Sequence, residues 1–97
     1  MAEIRIDLDQ AYEQARQLDE TASDLKQVLI TLSSERQGIS SYWDGTAART
    51  FISKLNEQYT ELSSLCKQLE SVADRIRTVA DRLKRQEEAA QQAALKL

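Results

Sequence analysis

Apolar residues recur every three then four positions from Leu8 to Ile39, and at strict seven-residue spacing from Ala48 to Leu97. The first series runs Leu8, Ala11, Ala15, Leu18, Ala22, Leu25, Leu29, Leu32, Arg36, Ile39, and only Arg36 interrupts its apolar character. That stripe belongs to a helix burying one face, so the spacing predicts a first helix over about residues 8–40. Asp7 stands before it as an N-cap, with Gln10 at the capping-box position. Ahead of the cap, residues 2–6 alternate as an extended arm would. Small residues crowd the first half of the series and leucines the second, which implies closer helix approach, or another partner, towards the N-terminal end. Gly38 either ends this helix or sits inside it at a cost of about 1 kcal/mol.

The second series is Ala48, Leu55, Leu62, Leu69, Ile76, Leu83, Ala90, Leu97. Ile52, Tyr59, Cys66, Ala73 and Ala80 flank it on one side, and Phe51, Leu65, Val72 and Val79 on the other. It predicts a second helix over about residues 46–86, capped by Asp44 or Thr46. Three adjacent apolar rows are wider than one antiparallel partner covers, so this helix calls for more than one neighbour. Past Lys84 the residues turn to Gln, Glu and Ala, and the segment from Gln86 reads as a frayed helical extension or a flexible tail over about 87–97, of helical propensity with few anchors. Between the helices, residues 40–46 gather Ser, Asp, Gly and Thr, which favour turns and helix starts. Trp43 sits inside that turn and is expected to rest on the end of the helix seam.

Residues 1–97 therefore read as one all-α domain, an antiparallel two-helix hairpin. Its interface would use Leu18, Leu25, Leu29 and Leu32 of the first helix and Leu55, Leu62, Leu69, Ile76 and Leu83 of the second. Such a thin rod buries little apolar area for the chain it orders, so pairing of two hairpins into an elongated four-helix bundle would complete the core. With the bend at Trp43, facing residue numbers add to about 86. The acidic first half of helix one then lies beside Arg75, Arg77, Arg82, Lys84 and Arg85, with Arg16 near Glu70 and Lys26 near Glu61. Exposed pairs contribute little to stability, so this pattern bears on register alone.

Two glycines, no proline and five aromatic residues in 97 argue against a sheet. With no histidine and one cysteine, the chain lacks an internal disulfide, a Cys/His metal site and the usual general base, and nothing resembles a phosphate loop. No catalytic residue, metal or cofactor is expected, and the chain does not read as an enzyme. A net charge of -3 sets nucleic acid aside as a partner. No apolar run approaches the roughly 20 residues of a membrane span, and Met1 to Asp9 lacks the pattern of a cleavable secretory signal. Cys66 reads as a packing residue, and Tyr12, Tyr42 and Tyr59 as rings packed with the hydroxyl at the rim. The basic cluster from Arg75 to Arg85 suits an anionic membrane, but the acidic stretch facing it favours a paired, solvated surface.

Trp43-Asp44-Gly45 at the midpoint of two amphipathic helices resembles the WXG family, the early-secreted-antigen-like small hairpins of bacterial type VII secretion. The Ile4-Arg5-Ile6 arm, Tyr42 to Thr46 followed by Ala48 and Phe51, and the Val72-Ala73-Asp74 and Val79-Ala80-Asp81 steps are similar too. The resemblance implies hairpins that dimerise antiparallel and leave the cytoplasm folded, through a membrane ATPase, without a cleavable signal peptide. It implies a virulence-associated effector or an escort for other substrates. Its partner would be a second copy, a related small hairpin, or the helical N-terminus of a larger toxin. The family's export signal joins the turn, here Trp43 and Gly45, to a C-terminal aromatic followed four residues later by an acid. No aromatic follows Tyr59; the nearest match is Leu83 with Glu87. The residues themselves leave two other readings open, a cytosolic structural coiled-coil module and an anionic-membrane-binding helix pair.

Overall fold

The computed structural model describes residues 7–97, so the arm expected before Asp7 lies outside the described residues. Helix α1 spans Leu8–Tyr42 and helix α2 spans Thr46–Leu95, and the two pack antiparallel along their common length. Asp7 caps α1 by accepting the Gln10 N–H at 3.1 Å. Gly38 lies inside α1, with no atom within 4 Å of where a Cβ would be. The turn is only Trp43, Asp44 and Gly45. Trp43 closes α1 in an extended conformation while its N–H still donates to the Ile39 carbonyl at 2.8 Å. Neither Asp44 nor Thr46 caps α2: that position belongs to Gly45, at φ 106° and ψ 175°, and Asp44 spends its carboxylate on the Gly45 N–H.

α2 continues to Leu95, beyond the boundary expected near residue 86. From Lys84 onward every residue is exposed, so what stops near 86 is contact with α1. Ala, Gln, Glu and Lys keep the backbone helical without a neighbour because they lose little side-chain freedom in a helix. The 50 residues of α2 set the molecule's length: at about 1.5 Å per residue they span about 75 Å, and the longest dimension is 79 Å.

The centre of the seam is made of small residues. Ala15, Ala22 and Leu29 are buried from α1, and Ala48, Cys66, Ala73 and Ala80 from α2. The Cys66 thiol donates to the Ala22 carbonyl at 3.3 Å, a contact between one helix's side chain and the other's backbone that only close approach allows. The α2 row expected to flank the seam, from Ile52 to Ala80, thus lies nearer its centre than the row from Leu55 to Leu83, whose members are half-buried. Alanine and cysteine let the backbones approach; leucines at the same positions would hold them apart.

The register also differs from the expected one. Lys26 pairs with Glu70 at 2.9 Å rather than with Glu61, and Arg77 reaches Asp19 at 2.7 Å. Arg16 stays on its own helix, held between Glu13 and Glu20. Side chains on a helix slant towards its N-terminus. In an antiparallel pair, tips therefore meet between residues that each lie further along their helices than a level count gives.

Candidate helix-pairing face

The seam has two open edges of opposite character. Along one edge, Tyr12, Asp19, Lys26 and Ser33 form a seven-residue row on α1, met from α2 by Asp81, Arg77 and Glu70. The Tyr12 hydroxyl donates to Asp81, and the edge ends where Arg36 donates to Asn56 at 2.8 Å and lies over the Tyr59 ring, 5.6 Å from its centroid. Arg36, the odd member of the apolar series, is thereby satisfied without leaving the seam. The pairing shows in proton affinities. Asp81 accepting its hydrogen bond raises the Tyr12 hydroxyl above the ordinary tyrosine value. Glu70 raises the Lys26 ammonium, and Asp19, followed by Asp74, raises the Arg77 guanidinium.

The other edge is apolar. Ala11, Leu18, Leu25, Leu32 and Ile39 are half-buried along α1, and Leu55, Leu62, Leu69, Ile76 and Leu83 along α2. Outside them on α2 comes the row of Phe51, Leu65, Val72 and Val79, which stays 43–50% exposed. A groove of about 290 Å³ opens on this side, lined by Ala11, Arg75, Ile76, Val79, Ala80 and Leu83. A row of large apolar side chains left half in water, interrupted only at Gln58, marks a surface that binds something.

The turn lies on the same row. Trp43 does not plug the end of the seam: it is 56% exposed and stacks on Phe51, with centroids 5.9 Å apart and planes 28° apart. Three turn residues are too few to bring the ring back over the seam end, so it rests on the first turns of α2 instead. Tyr42, expected to pack, is 88% exposed. Gly45 supplies the backbone conformation that starts α2, and it touches no neighbour through a would-be Cβ.

A family model described as proteins of 100 residues with WXG, named WXG100, matches residues 3–88. The chain belongs to the WXG100 family. Its Trp-X-Gly is the turn Trp43-Asp44-Gly45, the only non-helical segment between α1 and α2. WXG100 membership makes it a small helical protein of the kind that type VII secretion carries. A search of curated proteins found no match. Among the described residues no WXG100 helix is long and apolar enough to cross a membrane, and no three acidic or cysteine side chains gather as a metal site would require.

Of the two residues sought at the C-terminal end, Leu83 lines the apolar groove and Glu87, one turn further, is exposed where α2 extends alone. Sequence reasoning had Trp43 and Gly45 in the turn but placed Trp43 on the wrong support. Phe51 could have been found as that support: it is the first large apolar residue after the turn in the unpartnered row.

Proposed function

We propose that this WXG100 chain is a type VII secretion substrate or co-secreted escort, carried folded from the cytoplasm and acting through helix contacts rather than chemistry. One observation supports this reading above the others: the hairpin has a polar, hydrogen-bonded edge and an opposite apolar edge that runs from the stacked Trp43–Phe51 pair to Leu83. Packing that apolar edge against another hairpin completes a four-helix bundle and leaves the Trp-X-Gly corner at the rod's end. A secretion machine can read such a corner without unfolding its cargo. Trp43 and Gly45 form the turn half of the export signal in this reading, and Leu83 with Glu87 the C-terminal half.

In a bacterium with a working type VII ATPase, wild-type chain should accumulate outside the cell and Trp43→Ala should remain inside, while deletion of the ATPase retains both. Trp43→Ala removes a half-exposed ring and leaves the buried seam untouched, so retention would report recognition if circular dichroism shows the helices intact. Equal extracellular amounts in all strains would contradict the export role.

A further inference from the structure

We infer that α2 carries a proteolytic processing site at the Arg85–Gln86 bond, for an endoprotease that reads paired basic residues. Two independent observations meet there. The first lies in the sequence: Lys84-Arg85 is the only place in the 97 residues where two basic residues adjoin. A basic residue before the cut bond fills an acidic protease pocket, and a second one beside it adds another charge pair to the recognition.

The second observation is where the pair stands in the fold. Among the described residues, α2 makes its last polar contact with α1 at Asp81, which accepts from Tyr12, and Leu83 is its last half-buried residue. A protease needs its substrate extended on both sides of the bond, so a helix must open locally before it is cut. Of the residues from Arg82 to Ala89 that flank Arg85–Gln86, only Leu83 is even half-buried. Opening them gives up helical hydrogen bonds that water replaces, and almost no apolar burial. Both basic side chains are exposed, and Arg85 Nε donates at 3.3 Å to the Asp81 carbonyl of its own helix, a bond that opens with that turn. Further back on α2 the basic residues are tied to the seam. Arg77 reaches Asp19 and lies three residues from the buried Ala80, and Lys67 adjoins the buried Cys66, whose thiol donates to the Ala22 carbonyl. Opening α2 at either place would pull the packed helices apart.

The reaction is hydrolysis: water adds across the Arg85–Gln86 amide, Arg85 keeps the new carboxylate, and Gln86 leaves with the new ammonium group. The buried seam stays with Arg85, while the released segment carries Glu87. Resting on the reading of Leu83 and Glu87 as the C-terminal half of an export signal, the cut separates those two residues and withdraws the signal from a hairpin that remains folded.

The test uses the full-length chain and two substitutions that each create a second basic pair where α1 covers α2: Gln68→Arg, beside Lys67, and Thr78→Arg, beside Arg77. Both replace exposed residues, and urea unfolding followed by circular dichroism checks that the seam is intact. Each purified chain meets a limiting amount of an endoprotease that cuts after Lys-Arg and Arg-Arg pairs, and mass spectrometry weighs the fragments. Wild type should give a fragment ending at Arg85, and Lys84→Gln/Arg85→Gln should abolish it. In each chain with two pairs, the bond after Arg85 should break at least about 100-fold faster than the bond after the introduced pair, because cleavage follows the population of the open form. The fragment ending at Arg85 should still unfold cooperatively, at a urea midpoint close to that of the uncut chain. Wild type left intact, equal rates at the native and introduced pairs of a folded chain, or a fragment that fails to fold would overturn the proposal. Because cleavage is read on purified chains, a negative result here leaves the export reading standing. Failed export would remove the consequence drawn for Glu87 and leave the processing site standing.

Discussion

Gly45→Val should destabilise the hairpin by about 1–3 kcal/mol, the range for a residue forced into a backbone region that only glycine occupies comfortably. Gly45 holds φ 106° and ψ 175°, and its carbonyl already accepts the Arg49 N–H that begins α2. Nothing lies within 4 Å of an added Cβ, so the loss would come from the backbone alone, with no clash to relieve. Gly38 supplies the control. It too has open space around a would-be Cβ, yet it lies in the helix interior, so Gly38→Ala should stabilise by about 1 kcal/mol. Urea unfolding followed by circular dichroism at one fixed protein concentration measures both. A Gly45→Val chain as stable as wild type would mean that the turn does not depend on the glycine conformation.

Ala73→Leu should cost a further about 1–3 kcal/mol, the usual penalty of overpacking a filled core. Ala73 is completely buried, and the Cys66–Ala22 contact places it, one heptad further along α2, level with Ala15, itself completely buried. Two alanines facing each other leave no volume for three more carbons, so the helices would have to separate. That separation would also strain the Cys66 contact and the Asp19–Arg77 pair on the polar edge. Ala89→Leu, on the exposed overhang, is the comparison and should change hairpin stability by less than about 0.5 kcal/mol. The same unfolding experiment reads both, and equal tolerance at the two positions would deny that the alanine row sets the helix spacing.

The α1 series from Leu8 to Ile39 was legible because each of its residues is buried or half-buried in the structure. The turn was legible because Gly45 lies among polar residues between two periodic runs. On α2 the pattern was ambiguous, since three adjacent rows are all apolar and leucine looks like the better core residue. Burial favoured Cys66, Ala73 and Ala80 because seam geometry rewards small size at closest approach, a property that hydrophobicity does not encode. Lys26 choosing Glu70 over Glu61 reflects side-chain slant, which counting along the chain ignores. The end of α2 was placed too early, near residue 86 with a frayed helical extension or tail beyond it, because the end of the apolar pattern marks where a neighbour ends, and the backbone of α2 has no need of one. The polar edge was the least foreseeable part of the interaction site: Tyr12 to Asp81 and Arg36 to Asn56 join residues of ordinary surface type that only the fold brings together.

The fold-back at Trp43-Asp44-Gly45 underlies the seam, the two unlike edges and the pairing proposed for them, and solution X-ray scattering measures it most directly. A hairpin should give a longest dimension near the 79 Å of the structure. If the chain instead ran through the turn as one straight helix, it would extend to about 130 Å at 1.5 Å per residue, and that length would contradict the account.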